Sequence, residues 1–186
     1  MALTTLIWRR RRNASGICLV EFTLQNNLLC GAGLTVRAAQ GRSGITTMKR
    51  EGDGATPAGL LKLVRVLYRA DRLAPPHCNV PVEPIAPQDG WCDEQTDSAY
   101  NKPVRLPYPA SHEELWRNDA VYDIIGVLDW NLNPVTPGRG SAIFFHIATP
   151  DYAPTAGCVA LNLADMQKVL ALGLRAINVL IPPATR

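Results

Sequence analysis

Two residues in the last quarter of the chain, His146 and Cys158, are of the types that carry covalent acyl chemistry. His146 stands near the end of an apolar run over residues 141–147, and Cys158 lies twelve positions later, inside Thr155, Ala156, Gly157, Cys158, Val159 and Ala160. A free thiol has a pKa of about 8.5, so little of it is thiolate at neutral pH. A neighbouring imidazole raises the reactive fraction. The intervening loop holds Pro150, Asp151 and Pro154, which suit a chain that folds back and lets thiol and imidazole meet. Gly157 permits a tight bend before the nucleophile, where backbone N–H groups can turn inward and bind the oxyanion of a tetrahedral intermediate. The second imidazole nitrogen needs an acceptor, for which a carbonyl of the 138–141 loop is the candidate. Alone, a Cys–His pair is more often a satisfied core histidine and a small buried thiol.

Three smaller constellations have weaker chemistry. Asp53 lies in a glycine-rich stretch where it can bind a ligand or simply form the turn. That stretch lacks the Gly-Lys-Ser/Thr ending of a phosphate loop, so no nucleotide site is expected. His77, Cys78, Cys92 and Asp93 are metal-binding types, but they fall in adjacent pairs, a poor spacing for ligands. No metal and no cofactor is expected. Trp91 and Tyr100 can form a cleft wall for sugar or peptide, with core packing as the equal alternative.

The elements that must hold these residues read as mainly β. Residues 3–8, 17–24 and 28–36 have strand-like composition and are separated by turn signals at 13–16 and 25–27. Glycines between Gly41 and Gly59 mark a long irregular loop, and residues 60–68 suit another strand. Eight prolines fall within 74–110. Trp91, Cys92, Tyr100 and Tyr108 share that stretch, so an ordered loop packed on the domain is expected rather than a linker. Ser111 and Glu114 form a capping box, which predicts a short helix through about Arg117. Strands are expected over 121–130, 141–147 and 177–181, and a helix over 163–172 capped by Asn162 and stopped by Gly173. Many strands and few helices indicate a sandwich or barrel, in one domain over residues 1–186.

Bulk properties narrow the classes. The 186 residues are 47% hydrophobic and 19% charged, which supports a buried core and argues against disorder. A net charge of +3 is too weak to indicate nucleic acid without a basic face. Arg9, Arg10, Arg11 and Arg12 form the densest cationic block, read as a solvated strand end. Asn13, Ser15, Gly16 and Glu21 come directly after the block, in place of the long apolar stretch of an export signal. No apolar run approaches the roughly 20 residues of a membrane helix. Five cysteines, an odd number, suit a reducing compartment better than a disulfide framework. Together these predict a cytoplasmic protein without membrane insertion.

Three segments in order give the His–Cys pair its context. Glu51 to Gly59 contains Asp53, Gly54, Thr56, Pro57 and Gly59, and resembles the glycine-rich loop of the YkuD-type L,D-transpeptidase catalytic domain. His146 is the second segment, and Gly157, Cys158 and Val159 match that family's nucleophile turn. Gly90 to Asp93, Tyr100 with Asn101, and the 111–119 segment further resemble a divergent branch. The resemblance implies a β-sandwich-like domain with one or two short helices and the cysteine at the mouth of a cleft. It implies that Cys158 attacks the carbonyl of the third stem residue of peptidoglycan, a diamino acid, and that the terminal D-alanine leaves. An amine resolving the thioester makes a cross-link, whereas water makes the enzyme an L,D-carboxypeptidase. Many members have Ser-His-Gly-Cys followed closely by Arg. Here Thr155 and Ala156 replace the Ser and second His, and Ala160 and Leu161 occupy the place of the Arg. Arg139 and Arg117 become the candidates to read a ligand carboxylate, with Trp91, Tyr100, Asn101 and Asp53 as further substrate-side residues. The expectation is a bacterial, cytoplasmic L,D-carboxypeptidase trimming tetrapeptide stems of precursors or recycled muropeptides. The alternatives are an exported L,D-transpeptidase and a cell-wall-binding module with a dead site.

Overall fold

The computed structural model describes residues 11–12 and 18–182. The strand expected over 3–8 and the turn at 13–16 lie outside the described residues. In chain order the elements are β1 (Arg11–Arg12), β2 (Cys18–Gln25), β3 (Leu28–Gly31), β4 (Leu34–Arg37), β5 (Ile45–Thr46), β6 (Thr56–Pro57), β7 (Gly59–Tyr68), β8 (Val82–Pro84), β9 (Asp89–Cys92), β10 (Pro103–Arg105), β11 (His112–Glu114), β12 (Ile124–Leu128), β13 (Phe144–Ile147), β14 (Val159–Leu161), α1 (Leu163–Ala171) and β15 (Leu174–Val179). The fold is mainly β, as the composition and turn signals predict, and carries one helix among the described residues.

A ten-stranded sheet forms the frame, ordered β14-β13-β12-β7-β15-β2-β3-β4, with β1 beside β2 and β8 beside β7. A three-stranded sheet, β10-β9-β11, lies apart from it. Strand β13 shows how the layers meet. All four of its residues are buried, yet they divide between two cores, because successive strand residues point to opposite faces. Phe145 and Ile147 join Phe22, Leu61, Val159 and the helix residues Met166 and Val169. Phe144 joins Ile125, Val127, Trp91, Tyr122 and Cys158 on the other face. The small sheet therefore covers one end of the large sheet, and the helix covers the opposite face, giving a sandwich-like arrangement.

Several sequence expectations need correction. The capping box at Ser111 opens no helix. His112, Glu113 and Glu114 instead pair antiparallel with Cys92, Trp91 and Gly90. A cap stabilises a helix by about 1 kcal/mol, and here the ladder to β9, with Leu115 buried beside it, outweighs that local signal. The run over 28–36 is two strands, because Ala32 and Gly33 both adopt positive φ (51° and 79°) and turn the chain. The strands expected over 121–130 and 141–147 begin later than read, at Ile124 and Phe144, and the last strand is Leu174–Val179. The Gly41–Gly59 loop carries the parallel β5–β6 pair. The Pro-rich stretch is ordered and supplies β8, β9 and β10. Helix α1 begins as predicted: the Asn162 side chain accepts a hydrogen bond from the Asp165 amide at 2.9 Å. It ends at Gly173, whose φ of +86° reverses the chain without a Cβ clash.

Candidate active site

Strands β13 and β14 run parallel, with Phe145 opposite Val159 and His146 opposite Ala160. Extending that register by one residue sets Cys158 beside Phe144, and the Phe144 amide does point at the Cys158 Sγ, 3.4 Å away. Residues paired across a sheet share a face. Phe144, His146, Cys158 and Ala160 therefore lie on one side, with His146 and Cys158 as diagonal neighbours. The two side chains also line one cleft of about 220 Å³, together with Glu113, Arg117, Tyr122, Thr155 and Ala156. Each is 7% exposed, so both reach the opening while remaining almost wholly packed.

The groups around the thiol keep it protonated at rest. Its Sγ donates toward the Ala142 carbonyl at 3.2 Å. Burial pushes the Cys158 thiol up to about 12; the Glu113 carboxylate adds to this, while the Phe144 amide and the Lys49 ammonium oppose it. Burial likewise pulls His146 down to about 4, against the carbonyl of Ile147, which favours the charged ring. At neutral pH the pair is thiol and neutral imidazole, and no hydrogen bond joins them in this resting arrangement. The Nδ1 of His146 lies 2.9 Å from the Ile147 carbonyl oxygen. A carbonyl only accepts, so Nδ1 carries the proton and Nε2 keeps its lone pair. The orienting acceptor is thus the residue next to His146, not one in the 138–141 loop. Tyr122 stands edge-on to the imidazole at 5.5 Å between ring centres and edge-on to Phe144 at 6.1 Å.

The glycine-rich loop buttresses the nucleophile turn from beneath. Thr56 Oγ1 accepts from the Gly41 amide at 2.8 Å and reaches toward the Cys158 carbonyl at 3.5 Å. Thr155 Oγ1 donates to the same carbonyl at 2.7 Å and accepts from the Gly157 amide at 3.1 Å. Gly157 has φ +142°, and a Cβ there would meet the Ala55 carbonyl oxygen at 2.9 Å. Glycine is therefore required both by its own backbone angle and by the loop beneath it.

The structure brings together some of the sequence-predicted residues and separates others. Arg117 lines the cleft, but two of its nitrogens already donate to the Asp119 carboxylate at 2.9 and 2.7 Å. Arg139 is absent from the residues lining the cleft; its guanidinium lies over the Trp130 ring, 5.6 Å from the centre. Trp91, Tyr100 and Asn101 are each 2% exposed and lie behind the site, not in its wall. Trp91 packs edge-on to Phe144 at 5.2 Å, and its Nε1 donates to Asn101 Oδ1 at 3.0 Å. Tyr100 donates to Glu51. Asp53 closes its own turn, accepting from Lys49 Nζ at 2.5 Å and from the amides of Arg50 and Ala55. Burial would raise its pKa, but Lys49 and those two amides hold it below the ordinary carboxylate range. These four residues shape the site from outside its wall. Sequence reading misses Glu113 and Tyr122 as cleft residues, because the strand that turns Glu113 into the cleft is read there as a capped helix. No cluster of metal-ligating residues occurs among the described residues.

This arrangement, a buried thiol and an imidazole facing one cleft at the edge of a sheet, is suited to cysteine acyl transfer. Residues 27–177 match the family model of the YkuD L,D-transpeptidase catalytic domain, and the chain belongs to that family. Its members are cysteine acyl-transfer enzymes that act on peptidoglycan. No curated protein matches the chain.

Proposed function

We propose that the protein is an L,D-carboxypeptidase that removes the terminal D-alanine from tetrapeptide stems of peptidoglycan precursors or recycled muropeptides. The observation that carries the reading is the parallel β13–β14 register, which sets Cys158 and His146 on one face at one cleft. His146 Nε2 takes the thiol proton as Sγ bonds to the carbonyl carbon of the third stem residue. The Gly157 amide is already held by Thr155 Oγ1, which leaves the Cys158 amide as the candidate donor to the oxyanion. Collapse of the intermediate breaks the bond to D-alanine, and the imidazolium returns its proton to the leaving amine. Water then attacks the thioester, with Nε2 as base, and releases the tripeptide carboxylate and the thiol. Arg117 lines the cleft and in this reading takes the terminal carboxylate, at the expense of its bonds to Asp119.

We place this activity in the cytoplasm. Cys30, Cys78, Cys92 and Cys158 are free thiols, which suits a reducing compartment, and no helix among the described residues is long and apolar enough to cross a membrane. The second reading is L,D-transpeptidation, favoured by the family that the chain matches. Incubation of the purified protein with a tetrapeptide stem distinguishes them. Free D-alanine with tripeptide supports the carboxypeptidase, and cross-linked dimers support transfer. Intact stem with no adduct on Cys158 would sink both and leave a binding module.

A further inference from the structure

Glu113 has no part in the acyl-transfer steps, yet it lines the cleft with Cys158 and His146. It is placed there by β11, whose pairing sets Glu113 opposite Trp91. Its carboxylate accepts a hydrogen bond from the Tyr122 hydroxyl. Tyr122 is itself fixed, with its ring edge-on to both Phe144 and His146. The carboxylate is thus aimed by a packed phenol rather than left to solvent. Among the described residues no ammonium or guanidinium lies within ion-pair distance of it. Arg117, four positions on, is engaged with Asp119.

Such a group works against the chemistry proposed for the cleft. A carboxylate beside the nucleophile opposes the thiolate and the oxyanion that acyl transfer must form, and Glu113 raises the Cys158 thiol in this way. Burial also raises Glu113 itself, despite the phenol hydrogen bond. A desolvated carboxylate whose hydrogen-bond partner is neutral, and which feels the Arg117 guanidinium only beyond ion-pair distance, is completed by a cation, since pairing replaces the lost water and cancels the adverse field. If the acyl donor carries that cation, its arrival neutralises Glu113 at the moment that Cys158 must become anionic. On the proposed reading, the attacked carbonyl belongs to a diamino acid, whose side-chain amine is the cation carried by the reacting residue itself.

We infer that Glu113, held by the Tyr122 hydroxyl in the cleft wall, is the subsite for the side-chain ammonium of the donor's third residue, so that donors with this amine free and charged are preferred. The inference rests on the acyl-transfer reading of Cys158. It is tested with three tetrapeptide stems alike except at that amine, which is free, dimethylated or acetylated. Dimethylation keeps the charge and adds bulk, whereas acetylation removes the charge. For the wild-type chain, kcat/KM for D-alanine release or transfer should fall at least about tenfold on acetylation and much less on dimethylation. Glu113→Gln, which preserves an acceptor for Tyr122, should bring the acetylated and free stems within roughly threefold of each other. Equal wild-type rates on all three, an equal loss on dimethylation, or discrimination that survives in E113Q overturns the ammonium subsite and leaves the acyl-transfer reading standing. Absence of reaction with every stem, by hydrolysis or transfer, removes that reading and the subsite with it.

Discussion

Asn101 and Ala142 are joined by a hydrogen bond that fixes the surroundings of the nucleophile. The Ala142 amide donates to Asn101 Oδ1 at 3.0 Å, and the Ala142 carbonyl faces Cys158 Sγ at 3.2 Å. Both residues have positive φ, 55° for Asn101 and 49° for Ala142. Asn101 also accepts from Trp91 and donates to the carbonyls of Trp130 and Asn131. One buried amide thus ties the small sheet, the 130–131 turn and the carbonyl that holds the thiol.

Asn101→Ala should therefore act as a stability mutation with an effect on the site. It orphans two buried donors and two carbonyls at once, and loss of such a network costs about 2–4 kcal/mol. A thermal melt should show a drop of several degrees or more. An unchanged melting temperature would mean that the network does not hold the 142 turn.

The thiol should be sluggish toward alkylation at neutral pH. With Cys158 near 12 and His146 near 4, the resting pair is uncharged, and thiolate appears only as pH rises. Iodoacetamide labelling of Cys158, read out by mass spectrometry, should be slower at pH 7 than for the unfolded chain and should climb through the alkaline range. A labelling rate that stays flat down to pH 5 would reveal a preformed ion pair and contradict this arrangement.

Removal of the nucleophile separates enzyme from binder. Cys158→Ala should lower turnover by about four orders of magnitude or more, and His146→Gln by roughly two to four, with stem binding largely kept. Residual turnover within tenfold of wild type in C158A would exclude a thioester.

Gly157→Ala places a Cβ at 2.9 Å from the Ala55 carbonyl oxygen at a φ of +142°. Strain of this kind costs on the order of 1–3 kcal/mol, and relief must move either the glycine-rich loop or the nucleophile. Both melting temperature and turnover should fall. A variant that melts like wild type would show that the loop yields freely.

Acid should weaken the fold through His146. Its folded pKa of about 4 lies below the ordinary 6.5, so the unfolded chain binds the extra proton between those values. The contribution is fully present above pH 6.5 and is lost as pH falls toward 4, amounting to about 3 kcal/mol. Glu113, raised by burial, acts with the opposite sign above its ordinary range. The clean measurement is the difference between wild type and His146→Gln melts across pH 4–7, which should narrow as the pH falls.

Local signals in the sequence are faithful where no distant partner competes for the same residues, and features decided at a distance are not legible there. Helix α1 is readable because Asn162, Asp165 and Gly173 all lie within or beside the element they define. The Cys–His pairing is suggested by residue type and by the Gly157 turn, but shared facing comes from the β13–β14 register, which no local pattern encodes. Phe144 to Ile147 reads as one apolar block because both faces are buried, so periodicity cannot tell which side His146 takes. Ser111 to Glu114 misleads because a good cap is overridden by a partner strand about twenty residues earlier in the chain. In the sequence Trp91 and Tyr100 stand equally between a cleft wall and the core, and Asn101 is substrate-side only through the family resemblance; all three are buried. Their burial depends on the small sheet folding over Phe144, a contact between segments far apart in sequence. Tyr122 is silent in the sequence because its meaning comes from Glu113, which local pattern assigns to a helix.

The parallel ladder between β13 and β14 has a consequence for variation. Alignment of sulfur and ring is set by neighbouring strands and by the Thr155–Gly157 turn, while residues 149–154 travel between them across the cleft rim. Insertions or deletions in that rim can remodel what enters the opening without shifting the reacting atoms. Diversity in selectivity should accumulate there first, with the machinery left intact.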